Sequence, residues 1–143
     1  MKRITDSILL FLLVVLMISC SKGDGGGGGG GGNTPSQEAS LALGMNPDPG
    51  NAIVPALSDS YAFKLLITSS PPKNGVKIDI AGTKDSDNSV AFSQTSQTNS
   101  NIASIDQQLT GLATGVLYNV KITVTSLTNS SNTASISFKI ARK

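Results

Sequence analysis

The chain of 143 residues predicts an all-β fold, a single seven-stranded antiparallel sandwich over residues 39–143, on three observations. Apolar and polar residues alternate at period two in seven separate stretches, which turns one face of each toward a core and the other toward water. Between them lie clusters of Pro, Gly, Asn, Asp and Ser, the residues that reverse a chain. From Ala39 onward no segment keeps a helical period for three turns. A length of about 105 residues makes one domain, and roughly twenty alternating aliphatic and aromatic side chains are enough to give it a core of its own.

Residues 1–19 precede the fold. Lys2 and Arg3 open the chain, Ile8 to Ile18 form an eleven-residue apolar run, and Ser19 stands before Cys20, the three-part layout of a secretory signal. A helix needs about 20 apolar residues to span a bilayer, so cleavage is expected instead of retention. Leu16-Met17-Ile18-Ser19-Cys20 resembles the lipobox of bacterial lipoprotein precursors, with Met17 where that family commonly has leucine. The resemblance implies lipid on the Cys20 sulfur and a covalent membrane anchor. Each buried acyl methylene contributes about 0.8 kcal/mol, so two or three chains suffice to hold a small domain. Cys20 is the only cysteine; once lipidated it leaves no thiol for disulfides, metal sites or nucleophilic catalysis.

Residues 20–38 read as the lipidated cysteine and a tether. Gly25 to Gly32 has no side chain to bury and the largest backbone entropy to lose. From Cys20 to Glu38 the chain reaches roughly 60 Å if extended and about 25 Å as a flexible coil. With Lys22 and Asp24 after the cysteine, it is similar to outer-membrane lipoproteins of the Bacteroidetes. That likeness implies an outer-membrane lipid anchor facing the cell surface, with a periplasm-facing position as the alternative.

The seven stretches then follow in order, each marked by its apolar members. The first carries Leu41, Leu43 and Met45; the second Tyr61, Phe63, Leu65 and Ile67; the third Val76, Ile78 and Ile80; the fourth Val90 and Phe92. Ile102 and Ile105 mark the fifth, Tyr118, Val120, Ile122 and Val124 the sixth, and Ile136, Phe138 and Ile140 the last. Turns are expected at residues 46–51, 71–75, 85–88 and 129–132.

The segment Leu109 to Val120 resembles the corner before the sixth strand in fibronectin type III and related immunoglobulin-like modules, on Leu112, Gly115 and Tyr118. Pro71-Pro72-Lys73-Asn74-Gly75 resembles the turn between that family's second and third strands. The resemblance implies that Leu112, Gly115 and Tyr118 form a structural corner, with the Tyr118 hydroxyl bonded to backbone a few residues upstream. The sequence departs from the pattern in having no tryptophan, Thr114 where proline is common, and Gln107 where alternation calls for an apolar residue.

Chemistry is limited by what the chain lacks. It has no histidine, and with Cys20 lipidated the common bases and nucleophile pairs are missing, so no enzymatic function and no cofactor are expected. Asp85 and Asp87 are the closest carboxylate pair, but i and i+2 in a Ser/Asn-rich turn reads as a solvated loop. Asp85, Asp87 and Asn88 offer oxygens to Ca²⁺, without the bidentate glutamate of a complete loop. Without Lys2, Arg3 and Asp6, eleven basic and nine acidic residues become nine and eight, a near-neutral balance that argues against nucleic acid. The aromatic residues fall at core-like positions, which leaves no stacking platform for sugars, although hydrogen-bonding loops hold glycans too. Ser93 to Asn101 reads as a solvated edge strand and turn, or as such a loop. The expected partners are therefore the membrane through Cys20 and an envelope or extracellular protein. The alternative is a glycan- or Ca²⁺-binding accessory protein of an outer-membrane complex.

Overall fold

Alternation becomes eight strands in the computed structural model, which describes residues 37–143. They are β1 (Leu43–Asn46), β2 (Val54–Ala56), β3 (Ser60–Ile67), β4 (Val76–Lys84), β5 (Val90–Gln97), β6 (Ser104–Thr110), β7 (Leu117–Ser126) and β8 (Thr133–Arg142). A three-stranded sheet runs β1-β3-β6 and a five-stranded sheet runs β2-β8-β7-β4-β5. All neighbours pair antiparallel except β2 and β8, which run parallel with Val54 opposite Ile140.

Two expectations are corrected here. The strands number eight, not seven, and the pairing is not purely antiparallel. The additional element, β2, is three residues long with Pro55 at its centre. Proline cannot donate to a ladder and is confined to edges, and three residues are too few to display alternation. Ile102, expected to open a strand with Ile105, instead lies in the preceding loop and is exposed.

Inward residues of both sheets form one core. Met45, Phe63, Leu65, Ile67 and Leu109 come from the smaller sheet. Val54, Val76, Ile78, Ile80, Val120, Ile122, Val124, Phe138 and Ile140 come from the larger. Phe63 meets Phe138 edge-on across the sheets, with centroids 6.5 Å apart. Gly82 in β4 lies under the Phe92 ring of β5: a Cβ there would stand 2.2 Å from the ring. The missing side chain lets Phe92 fold over the strand and reach Tyr118, at 5.8 Å between centroids. Gly75 ends the turn into β4 at φ 86°, where a Cβ would also strike the Thr98 carbonyl.

Candidate interaction surface

Where the chain joins the domain, three side chains make a clasp. Ser126, at the end of β7, is 2% exposed and is the buried polar residue of the core. Its hydroxyl donates to Glu38 Oε1 at 2.7 Å and accepts the Thr128 and Asn129 N–H groups at 3.0 and 3.1 Å. Asn132 donates through Nδ2 to Glu38 Oε2 and the Ala39 carbonyl, and accepts the Leu41 N–H. Glu38, which composition assigns to the tether, is thus bonded to the β7–β8 loop. Nothing in the sequence signalled these pairings, since they join residues about ninety positions apart. Among the described residues no buried side-chain nitrogen or oxygen lacks a partner, as buried polar groups require.

The strand directions place the loops at 68–75, 98–103 and 127–132 at this end, and the β4–β5 hairpin, the β6–β7 corner and Lys143 at the other. At that far end Tyr118 is 2% exposed, and its hydroxyl accepts the Ala113 N–H at 3.0 Å. Leu112 is buried beneath the corner, and Gly115 turns it at φ 73°. The Leu112 N–H bonds to the Asp59 carbonyl, and its own carbonyl accepts Arg142 Nη1.

Asp85, Asp87 and Asn88 occupy the β4–β5 hairpin, but each is engaged separately. Asp85 Oδ1 accepts from Lys139 Nζ and Asn119 Nδ2, both at 2.8 Å, across β8 and β7. Asp87 Oδ1 accepts the N–H and hydroxyl of Ser89, at 2.9 and 2.7 Å. Asn88 takes the left-handed conformation, φ 57°, that closes the turn. Lys139 and Asn119 hold the Asp85 carboxyl below its ordinary range, and the Ser89 bonds do the same for Asp87. On the outer face, bonds from Lys77 and Thr95 lower Asp79 likewise. Among the described residues no three His, Cys, Asp or Glu gather as metal ligands would. Tyr61 and Phe92 are partly buried and Phe63, Tyr118 and Phe138 fully so; burial pushes the Tyr61 hydroxyl up.

The fourth side of the molecule is where β5 and β6, one edge from each sheet, run past one another. Gln94 donates to the Gln108 carbonyl at 3.0 Å and Gln107 to the Ser96 hydroxyl at 3.4 Å, so amides bridge the gap. Gln107 breaks the alternation of β6 for this reason: its inward position opens on the seam and not on the core. A cleft of about 870 Å³ lies along it, lined by Asn46, Lys64, Gln94, Ser96, Gln107 and Gln108 among others.

The sheet edges differ in protection. Edges expose unpaired backbone groups, and proteins blunt them by shortness, charge, proline or cover. β1 has four residues and β2 three with a proline. β6 carries Asp106, paired with Lys64 at 2.6 Å, and is capped by Gln94. β5, Val90–Gln97, has eight residues with no charge and no proline; a bulge opposite Gly82 and Thr83 breaks its register next to Val90, which is 73% exposed, and leaves Phe92–Gln97 as the regular edge. The Thr/Ser/Asn-rich stretch Ser93 to Asn101 reads from sequence as an edge strand and turn, but its contrast with the other edges needs the sheet order.

Residues 1–19, expected to be a signal peptide, together with Cys20, Lys22, Asp24 and the glycines, lie outside the described residues. No protein-family model and no curated protein matches the sequence.

Proposed function

We propose that this is a lipid-anchored cell-envelope protein that displays a non-catalytic β-sandwich for protein–protein contact or adhesion. The observation that carries the contact role is the uncharged, proline-free edge of β5, regular from Phe92 to Gln97, because an open edge takes up an extended strand through main-chain hydrogen bonds. The anchor is supported by the apolar leader ending in Ser19-Cys20. A fibronectin type III or immunoglobulin-like type is supported by the sheet orders β1-β3-β6 and β2-β8-β7-β4-β5 and by the Tyr118 to Ala113 bond. The β4–β5 hairpin and the β6–β7 corner lie at the end of the domain opposite the Glu38 clasp.

Protease treatment of intact cells, compared with lysed cells and with Cys20→Ala, tests the display. Loss of the domain from intact cells, and its release from the envelope by Cys20→Ala, is expected. Protection until lysis would remove the cell-surface position and redirect the search to periplasmic partners.

A second reading, a glycan-binding accessory protein, is favoured by the cleft between β5 and β6, where the amides of Gln94, Gln107 and Gln108 and the Ser96 hydroxyl stand beside Ala62, Phe63, Lys64 and Asp106. Hydrogen-bonding groups set along an apolar wall suit a polyhydroxylated ligand. Thermal stabilisation by a polysaccharide, lost in Gln107→Ala, would move the conclusion there.

A further inference from the structure

We infer that Lys139 and Asn119 become joined by an intramolecular isopeptide bond, a covalent staple between β7 and β8 whose formation Asp85 assists. Asn119 and Lys139 are direct partners in the β7–β8 ladder, so both side chains stand on one face of the sheet with Cβ atoms about 4.5–5.5 Å apart. Asp85 reaches them from the β4–β5 hairpin, where its N–H bonds to the Leu117 carbonyl at 2.9 Å. Its Oδ1 accepts from Lys139 Nζ and from Asn119 Nδ2, each at 2.8 Å. One carboxylate oxygen thus touches both an amine and a carboxamide nitrogen. Among the described residues the other ion pairs bring no carboxamide. Lys64 meets Asp106, and Asp79 divides Lys77 and the Thr95 hydroxyl between its two oxygens.

This arrangement suits the exchange of one amide for another. The Lys139 amine is the nucleophile and the side-chain carbonyl carbon of Asn119 the electrophile. Asp85 Oδ1 takes a proton from Nζ as the bond from Nζ to Cγ forms and the carbonyl electron pair moves onto its oxygen. When that pair returns, the bond from Cγ to Nδ2 breaks, and Oδ1 passes the proton to the departing nitrogen. The ammonium of Lys139 gives up two protons in all: one leaves with Nδ2 as ammonia, the other goes to solvent. No oxidant or co-reactant is consumed, and Asp85 ends as a carboxylate able to accept the new amide N–H. Neighbouring positions on a paired sheet replace a bimolecular encounter, and well-oriented groups reach effective molarities of about 10⁵–10⁸ M. With the Lys139 and Asp85 side chains 49% and 37% exposed, water competes for the pair, so the bond accumulates slowly and once per chain. It also supplies what the fold otherwise lacks. On its other side β8 is flanked by three-residue β2, and a single cysteine, at position 20, allows no disulfide within the domain.

Peptide mass spectrometry of the full chain, purified from cells and held for days at neutral pH, tests this. Trypsin cuts after lysine and arginine but not after a lysine whose amine is acylated. The bond should therefore leave Lys139 uncut and join residues 85–121 to residues 122–142 in one branched peptide, lighter than their sum by one ammonia. Fragmentation should place the branch at Asn119 and Lys139. Lys139→Arg and Asn119→Ala should each abolish it. Asp85→Asn keeps the size of the side chain but not its basicity, and should lower the yield at equal incubation by at least about a hundredfold, with circular dichroism like that of the parent showing that the variant folds. Recovery of residues 85–121 and 122–139 only as separate peptides from the unaltered chain would overturn the bond, whatever the variants do. A branch formed in undiminished yield by Asp85→Asn would overturn Asp85 as its proton carrier.

Discussion

Phe92 and Gly82 show how a single residue sets the packing of a sheet edge. The ring fills the space a Cβ would need, 2.2 Å away, so Gly82→Ala must displace an aromatic side chain that also rests on Tyr118. Overpacking of this kind costs about 1–3 kcal/mol, and the melting midpoint should fall by at least about 4 °C. The cost should shrink when Phe92 is first replaced by Leu; an equal cost in both backgrounds would place the strain elsewhere. Ser126 makes the complementary case for a polar residue. Ser126→Ala takes the acceptor from the Thr128 and Asn129 N–H groups and the donor from Glu38 Oε1, leaving the carboxylate its Asn132 bond, and losing part-buried bonds of this kind costs about 1–3 kcal/mol. Urea unfolding checks it: a midpoint unchanged within error would mean water replaces the hydroxyl without loss.

At the scale of the element, the carboxylates along β4 and its hairpin tie stability to acid. Asp79, Asp85 and Asp87 all sit below the ordinary value of 3.8 because lysine, asparagine, serine and threonine donors favour the charged form. A depressed carboxyl stabilises the fold above its unfolded value and loses that contribution as pH falls through its folded value. The melting midpoint should therefore hold from neutrality to about pH 4 and decline below it. Asp85→Asn should lower the midpoint at neutral pH and flatten the acid limb, since Lys139 then has no carboxylate to lose. An unaltered acid limb in that variant would assign the decline to other groups. The same elements mark what the sequence made legible. β3, β4, β7 and β8 alternate over eight to ten residues, long enough for period two to stand out. β2 escaped because Pro55 and a length of three leave no period, and its partner β8 is far along the chain. The corner was readable because Leu112, Gly115 and Tyr118 are close in sequence. The clasp and the β5–β6 seam were not, because they depend on which strands the topology makes neighbours.

For the whole molecule, the organising fact is that the described fold, residues 37–143, is tied down at its start by the Glu38 clasp. The core draws on both sheets, and among the described residues the earliest side chain hydrogen-bonded into the fold is that of Glu38, through Ser126 and Asn132. Deleting Gly25 to Gly32 therefore changes how far the domain stands from residue 20 without removing a contact of the described fold. The melting midpoint of that deletion should match the parent, with a stability difference within about 0.5 kcal/mol, as for changes away from structured contacts. Glu38→Ala, one residue inside the boundary, should instead cost about 1–3 kcal/mol, because a buried hydroxyl and an amide lose their charged acceptor. Amide hydrogen exchange separates the two effects. Glu38→Ala should speed exchange at Leu41, Thr128 and Asn129, whose N–H groups are bonded to Asn132 and Ser126, while the glycine deletion should leave them protected. Equal exchange at these sites in both variants would mean that Glu38 does not hold the loop. The β7–β8 loop would then owe its order to Ser126 and Asn132, through their bonds within the loop and to Ala39 and Leu41.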